Sequence, residues 1–508
     1  MTVNADKPDF KIGIVGTGTM GRGIVQVAAA AGLYVTAFDA RPSAAAEAKD
    51  FVGKMLARQV EKKRLAAADA ESAINRIEAT ETLDTLADCD MVMEVITEDL
   101  ARKRELFTQL DQLVRPEAIL ATNTSSLAVT AIAAACTRPE RVAGFHFFNP
   151  VPLMKLVEVI AGMKTDAWVT ETLTRLARRF GHEPVLVRDS PGFLVNHVGR
   201  AYMPEALRIL SECIARPEVI DQAMRVAAGF RMGPFELLDL VGLDVAHPVM
   251  ESIYGQYYQE PMYQPSPLTR LRMAGGVLGR KSGAGFYEYH DGKPRIPNDN
   301  PPTTAHRKPL WVSRARPDGH AAVAALLDQL RITAETGARP SADALCVVTP
   351  IGRDTTTTAT AEDLDPRRTV ALDTLFPLAG HRTIMVTPAT VADYRDAARA
   401  MFSVDGVNAT VINDSPGFIA PRIVAMIINV GCNVAQQGIA SPADIDKATR
   451  LGLNYPLGPL EWGDKIGAKR VVEILEALHQ FYGEPRYRPM PWLKRRALLG
   501  MSLRELQS

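Results

Sequence analysis

The sequence predicts an α/β domain built on a parallel sheet, followed by an all-α domain that occurs twice. Three observations carry this. Residues 11–188 alternate short apolar runs with stretches of helical spacing. Phe193 to Arg272 is helical in pattern, with stops at Gly229, Gly233-Pro234 and Gly242. Asp189-Ser-Pro-Gly-Phe193 recurs as Asp414-Ser-Pro-Gly-Phe418, an offset of 225 residues. The same offset carries Gly233-Pro234-x-Glu236-x-x-Asp239 onto Gly458-Pro459-x-Glu461-x-x-Asp464. Aligned without gaps, 189–242 and 414–467 share 17 identities in 54 positions. Chance would give about three or four, so the helical domain is read as duplicated.

Within the first segment, Lys11 to Val15 reads as a strand and Gly16 to Gly32 as a glycine turn opening a helix. Leu33 to Phe38 is a second strand, stopped at Asp39. Charged helices follow at about Ser43 to Leu65 and Asp69 to Asn75. Met91 to Ile96, Ala118 to Ala121, Val142 to Phe148 and Val185 to Val187 read as further strands, with a helix over Glu98 to Leu113. Strands separated by helices imply parallel pairing with helices on both faces. The expected domains are 1–189 (α/β), 190–290 (helical), a proline-rich linker over 291–320, a reduced α/β insert over 321–413, and the second helical copy over 414–508. The insert has strand-like runs at Leu345 to Val348 and Thr383 to Val386 but no glycine loop. The run Thr355 to Thr358 reads as a solvated loop.

A length of 508 residues suits three to four domains at about 150 residues each. Lys+Arg and Asp+Glu are both 58, and this balance argues against nucleic acid or an acidic membrane recognised by bulk charge. Hydrophobic content of 47% and charged content of 23% exclude disorder as the main state. The five scattered cysteines form no C-x-x-C pair, so neither a disulfide framework nor a metal site is expected. The polar start, Met1 to Asp9, has no apolar core of a signal peptide. No apolar run reaches the ~18 residues of a membrane span; Ile423 to Ala435 comes nearest and holds Asn429 and Asn433. A cytoplasmic protein without a membrane partner is expected.

Gly16-Thr-Gly18-Thr19-Met20-Gly21 is G-x-G-x-x-G placed between a strand and a helix, the context in which it binds a dinucleotide. Gly16 allows the tight turn, Gly18 lets a pyrophosphate approach the backbone, and Gly21 permits close packing. Asp39, 18 residues past Gly21, ends the second strand, where a carboxylate accepts ribose hydroxyls and repels a 2′-phosphate. NAD rather than NADP is therefore the expected coenzyme, with Arg41 a nearby cation that softens the preference. This layout is the Rossmann type.

Four further motifs follow: Asn123-Thr-Ser125-Ser126-Leu, Gly144-Phe-His146-Phe-Phe-Asn149-Pro150, Leu156-Val-Glu158-Val-Ile and Asp189-Ser-Pro-Gly-Phe-Leu-Val-Asn196. With the glycine loop and Lys281-Ser-Gly-Ala-Gly-Phe-Tyr287, they resemble the L-3-hydroxyacyl-CoA dehydrogenase family over about 10–290. The resemblance implies His146 as catalytic base, Glu158 as its partner, and Ser125 and Asn196 as substrate contacts. It also implies that Glu98, Lys103, Asn149 and Lys281 contact or flank the nicotinamide half of the coenzyme. The residue types suit the reaction. Oxidising a secondary alcohol at C3 sends hydride to the nicotinamide and a proton to a base, and histidine starts near neutrality. A buried carboxylate beside it fixes the imidazole tautomer and stabilises the imidazolium. Other 3-hydroxy acid or sugar-acid dehydrogenases share the layout but usually place a lysine as base. A coenzyme-binding scaffold without activity is the other alternative. Ser125 could instead cap the following helix. The basic helix with Lys54, Arg58, Lys62, Lys63 and Arg64 is either a solvated face or a contact for the phosphates of coenzyme A.

The doubled helical domain with a reduced insert resembles the long bacterial members of the family that act in phenylacetate breakdown. That implies 3-hydroxyadipyl-CoA, with 3-hydroxybutyryl-CoA as the alternative. An adipyl chain ends in a carboxylate, for which Arg200 and Arg208 are the candidate cations. The second copy is expected to be inactive, because Asn196 maps onto Pro421 and no glycine loop or His-to-Glu pair precedes it. Short members of the family pair through their helical domains. The two copies are accordingly expected to pair within one chain as a pseudo-dimer, through helices starting near Asn196 and Pro421, with further homo-oligomerisation left open.

Overall fold

The computed structural model describes residues 3–297 and 308–506. It divides into two compact units, 1–197 with 437–453, and 198–436 with 454–508.

The first unit is built on eight strands: β1 (Lys11–Val15), β2 (Tyr34–Phe38), β3 (Ile77–Thr80), β4 (Met91–Glu94), β5 (Ile119–Thr122), β6 (Val142–Phe147), β7 (Leu156–Ala161) and β8 (Glu183–Arg188). Their spatial order is β3-β2-β1-β4-β5-β6-β7-β8. Helices such as Thr19–Ala30 and Ala44–Glu61 cover the sheet, and Ile12, Ile14, Val25, Val35 and Phe145 fill the core between. β3 is a strand that the sequence pattern does not reveal. Ile-Glu-Ala-Thr is short and half polar, as suits an edge strand.

One pairing departs from the all-parallel expectation. β6 and β7 run antiparallel, because the connection 148–155 is shorter than the crossover of a dozen or more residues that a parallel pair needs. The antiparallel register sets His146 directly opposite Glu158.

The first compact unit does not stop at the expected domain boundary. It runs past 189 to His197 and takes in 437–453 from the second helical copy. The edge strand β8 leaves N–H groups unpaired, and the Arg188 N–H donates to the Ile439 carbonyl at 2.8 Å. The helix Pro442–Leu453 then packs on β7 and β8.

The second unit holds a hairpin, β9 (Tyr289–His290) and β10 (Lys293–Pro294), and a five-stranded sheet: β11 (Leu310–Val312), β12 (Leu345–Val348), β13 (Thr369–Leu372), β14 (Arg382–Val386) and β15 (Ala409–Ile412). Its pairings run parallel, parallel, antiparallel, parallel, the sequence of directions from β4 to β8. The insert matches the later part of the first sheet in its strand directions; among the described residues it has no counterparts of β1, β2 and β3. Two readings need correcting. The stretch 291–320 is not simply a linker: it contains β10, β11 and the start of the helix Pro317–Leu330. Pro317 stands at the first helical position, where a missing N–H costs nothing. Residues 298–307 lie outside the described residues.

Thr355 to Thr358 is not a loop but the start of the helix Thr355–Ala361. Four β-branched residues disfavour a helix, but Asp354 caps it and Asp414 accepts from the Thr355 and Thr356 N–H groups at 2.7 and 3.0 Å. Asp189 does the same for Val129 and Thr130 at 3.2 and 2.7 Å. The repeated Asp-Ser-Pro-Gly-Phe is thus a helix clamp followed by a tight turn. Gly192 and Gly417 have φ of 76° and 78°, the left-handed region that glycine tolerates.

The two helical copies differ in their first helix. In the first copy it breaks between Val195–Val198 and Tyr202–Ser211; in the second it is continuous over Ala420–Gln436 and buried nearly all round. Within the second unit, the helices Tyr202–Ser211 and Ala420–Gln436 pack on each other. Arg422, fully buried, donates to Glu205 at 2.7 Å and to Glu212 at 2.8 and 3.0 Å. Glu205, equally buried, also forms an ion pair with Arg486 at 2.9 Å and accepts from the Tyr487 hydroxyl at 2.8 Å. Burial pushes the Glu205 carboxyl up, but Arg486 and Arg422 outweigh it and hold it below its ordinary value. The contacts are reciprocal. The turns Pro261–Tyr263 and Pro485–Tyr487 pack together; Asn433 donates to the Tyr263 hydroxyl at 2.8 Å, while Arg208 lies over the Tyr487 ring at 5.9 Å.

Candidate functional site

The glycine loop has the shape that its sequence implies. Gly16 has φ of 98°, and a Cβ there would stand 2.7 Å from the Val95 carbonyl oxygen. A Cβ on Gly21 would stand 1.9 Å from the Gly16 carbonyl oxygen, so its close approach is to the turn itself. Gly18 is exposed and nothing lies within 4 Å of its Cβ position. Thr19 and Met20 begin the helix Thr19–Ala30, whose first N–H groups have no partner within the helix. The Asp39 carboxylate accepts from the Thr17 N–H at 2.7 Å and the Thr17 hydroxyl at 3.0 Å. Burial raises its pKa, but the Thr17 and Arg41 N–H donors outweigh this and leave it below its ordinary value. Asp39 lines a cleft with Arg41, Ala79 and Thr80. The Arg41 guanidinium is drawn to Glu47 at 2.6 Å. An open glycine, an unencumbered helix start and an ionised carboxylate fit a dinucleotide carrying a free ribose 2′-hydroxyl.

His146 ends β6, and its Nδ1 lies 2.6 Å from Glu158 Oε2 on β7. Glu158 is 0% exposed. Its other oxygen accepts the N–H groups of Leu194 and Val195 at 3.0 and 2.8 Å. Both carboxylate oxygens therefore have partners, as a buried charge requires. The rings of Phe148 and Phe193 stand 4.5 and 5.8 Å from the imidazole and wall it with apolar surface. Asn196 is the residue after Val195, half-buried, in the short helix Val195–Val198.

Ser125 lies in the loop after β5. Glu98 Oε1 accepts from the Thr124 hydroxyl at 2.7 Å, from the Ser125 and Ser126 N–H groups at 2.9 Å each, and from the Ser126 hydroxyl at 2.9 Å. Ser125 does not cap the next helix; that cap position is Ala128, and the free N–H groups are taken by Asp189. Lys103 is 1% exposed, with its ammonium 2.6 Å from Glu94 and 3.3 Å from Glu98. Asn149 is exposed and precedes a cis Pro150 just beyond β6. Lys281 belongs to the second unit, where its ammonium lies 2.6 Å from Asp244. Lys54, Arg58, Lys62, Lys63 and Arg64 are all exposed.

Some supports were not foreseen. Glu94, buried at the end of β4, takes Lys103, the Ile96 N–H at 2.7 Å and the Thr122 hydroxyl at 2.7 Å. Asn123 accepts the Phe147 N–H at 2.8 Å and so ties β5's loop to the residue after His146. A glutamate closing the apolar run Met-Val-Met, nine residues before a lysine, was the available signal for the first. Among the described residues, no group of His, Cys, Asp and Glu could hold a metal ion, and no helix is long and apolar enough to cross a membrane.

These features define a nicotinamide-coenzyme oxidoreductase, and the comparisons with known proteins say which. The family model described as 3-hydroxyacyl-CoA dehydrogenase, NAD binding domain, matches residues 11–190, and that of the family's C-terminal domain matches 192–289 and again 417–505. The chain is 38% identical over 96% of its length to 3-hydroxyadipyl-CoA dehydrogenase of Escherichia coli, covering 97% of that protein. It is similar to the crystal structure of 3-hydroxybutyryl-CoA dehydrogenase from Escherichia coli, with a TM-score of 0.85 and 37% identity over 97% of this chain and 98% of the other. Probable 3-hydroxybutyryl-CoA dehydrogenase of Bacillus subtilis is 43% identical over 55% of this chain and 98% of its own length. The chain belongs to the 3-hydroxyacyl-CoA dehydrogenase family and is an NAD-dependent enzyme of that class.

Burial raises the Glu98 pKa, but the Thr124 hydroxyl, Lys103 and the Ser125 N–H outweigh it and bring the carboxyl down to about 2. A carboxyl depressed by folding contributes stability above its unfolded pKa, near 4.5, and loses it as pH falls toward 2. Glu98→Gln is expected to lower stability at pH 7 by about 1–3 kcal/mol and to flatten its pH dependence in that acid window. Urea unfolding at a series of pH values checks this; an unchanged midpoint and slope would contradict it.

Proposed function

We propose that His146 Nε2 takes the hydroxyl proton of an L-3-hydroxyacyl-CoA while the coenzyme accepts the C3 hydride. The observation that carries this is the 2.6 Å contact between His146 Nδ1 and Glu158. With Nδ1–H held by the carboxylate, the lone pair of the neutral ring is on Nε2, and the imidazolium formed on proton uptake faces a fixed negative charge. The apolar rings of Phe148 and Phe193 keep water from competing for that proton. Ser125 and Asn196 hydrogen-bond the substrate oxygens. Gly16, Gly18, Thr19, Met20 and Gly21 cradle the pyrophosphate, and Asp39 takes the ribose hydroxyls. Glu98 and Asn149 flank the nicotinamide, and Lys103 acts through Glu98, since its ammonium is buried against it. The Lys281 assignment has the least support, because that ammonium already pairs with Asp244. The base sits on a strand end with a carboxylate partner, which favours this reading over the lysine-base dehydrogenases and over an inactive scaffold.

For the acyl chain we commit to 3-hydroxyadipyl-CoA. The support is the similarity to the 3-hydroxyadipyl-CoA dehydrogenase, which spans nearly the whole chain. Arg208 is a poor cation for the distal carboxylate, being bound to Glu212 and Glu484. Arg200 is buried, and burial lowers its pKa to about 10 against a smaller upward pull from Tyr455. It remains the candidate. The place of action is the cytoplasm, where an NAD pool exists and five free thiols persist.

We further infer that the two helical copies form a pseudo-dimer, one catalytic site per chain. Equivalent helices and equivalent turns meeting each other, with the Arg422–Glu205 cluster between them, support it. Breaking such a buried pair costs about 3–5 kcal/mol.

In an NADH absorbance assay with 3-oxoadipyl-CoA and acetoacetyl-CoA, His146→Ala is expected to lose about 10²–10⁴ in kcat while NADH still binds, and Glu158→Gln to move the same way. Near-normal turnover in His146→Ala would remove the mechanism, and clearly better kcat/KM for the four-carbon substrate would remove the adipyl assignment.

A chain cut near residue 297 is expected to be insoluble, self-associating or inactive. A soluble, monomeric, fully active fragment would overturn the pseudo-dimer.

A further inference from the structure

The inactive copy contributes directly to the surroundings of the proposed base. Residues 437–453 belong to the first compact unit, and within them Gly452 lies in the last turn of the helix Pro442–Leu453. A Cβ at 452 would stand 2.9 Å from Leu156 Cδ2 and 3.1 Å from both Val195 methyls. These two neighbours bracket Glu158. Leu156 precedes it by two residues on the same face of β7, and the Val195 N–H donates to it at 2.8 Å.

Alanine is favoured over glycine inside a helix, so a glycine there requires a reason. The position equivalent by the offset of 225 is Ala227, in the first copy. The first copy's segment makes the mirror contact, with the Asn413 N–H donating to the Ile214 carbonyl at 3.0 Å, but the sheet it meets has no His-to-Glu pair. Glycine thus stands where the helix meets Leu156 and Val195, and the equivalent position in the first copy, in the π-helical turn Ala223–Ala227, carries alanine. Relief of a new methyl at 452 is asymmetric. Leu156 can rotate its terminal methyl away. The methyls of Val195 sit on Cβ and turn about one stiff torsion, so Val195 yields less readily than Leu156 and a small shift of its backbone is the expected relief. That backbone carries the N–H that holds Glu158.

Resting on the assignment of His146 and Glu158 above, we propose that Gly452 is a positioning residue. By carrying no side chain, it lets the second copy's helix seat Val195 so that the Val195 N–H fixes Glu158 and, through it, His146. The second helical copy is then a working part of the single active site.

The test is steady-state kinetics on the full-length chain. Gly452→Ala is expected to lower kcat about tenfold with the KM for NAD unchanged, since the coenzyme loop is not disturbed. Adding Val195→Ala, which removes the crowded methyls but keeps the N–H, is expected to restore kcat to within about threefold of the native value. A merely structural role for Gly452 would lower the yield of folded enzyme and leave kcat per folded molecule unchanged. Native kcat in Gly452→Ala, or a double variant no better than the single, overturns the proposal. If Gly452→Ala yields no soluble protein, the double variant decides: soluble and active supports the proposal, insoluble or inactive overturns it. His146→Ala measured in parallel separates the two ideas. If it is inactive while Gly452→Ala is fully active, only the positioning role fails; if it is active, the base assignment fails and the positioning role with it.

Discussion

A carboxylate with no access to water has to be satisfied on both oxygens, and Glu158 meets that demand with an imidazole on one side and two backbone N–H groups on the other. Much of the first unit's architecture follows from it. The antiparallel pairing of β6 and β7 is what sets His146 opposite Glu158. The left-handed turn through Gly192 and Phe193 swings the chain so that the Leu194 and Val195 N–H groups point at the carboxylate. Asp189 anchors that turn to the helix Val129–Ala133, which follows the Ser125 loop. A second buried carboxylate, Glu94, is satisfied in the same way, by Lys103, the Ile96 N–H and the Thr122 hydroxyl.

The second half repeats parts of this scaffold. The Asp414 clamp, the turn through Gly417 and the directions of five strands all persist in the second half. The glycine loop and the His-to-Glu pair do not. What the second copy retained instead is an apolar helix carrying one charge, Arg422, which is answered by Glu205 and Glu212 from the first copy. A buried guanidinium left without such partners would be strongly destabilising.

The candidate site's residues were more legible in the sequence than their supports. His146, Glu158 and the glycine loop sit in short motifs, and the structure brings the first two together across β6 and β7. Glu158 is moreover a charge in the apolar strand Leu-Val-Glu-Val-Ile, which demands a partner. β3 was not legible, because a four-residue edge strand with a glutamate carries no pattern. The threonine helix was hidden because its stability comes from Asp414, almost sixty residues away, rather than from propensity. The capture of 437–453 by the first unit could not be read at all. It depends on a carbonyl at Ile439 reaching the open edge of β8, a tertiary fact with no local signature. Gly452 likewise reads as a blemish in a helix until Leu156 and Val195 are seen against it.

The central claim is that Glu158 holds His146 in one tautomer, with the proton on Nδ1 and the basic lone pair on Nε2. Nitrogen-15 NMR of the histidine-labelled, full-length chain tests it most directly, with His146 assigned by the signal that vanishes in His146→Ala. Where the ring is neutral, the account predicts a protonated, slowly exchanging Nδ1 and an unprotonated Nε2, with that preference lost in Glu158→Gln. A His146 ring protonated on Nε2, or one that averages freely between tautomers with Glu158 intact, would contradict it.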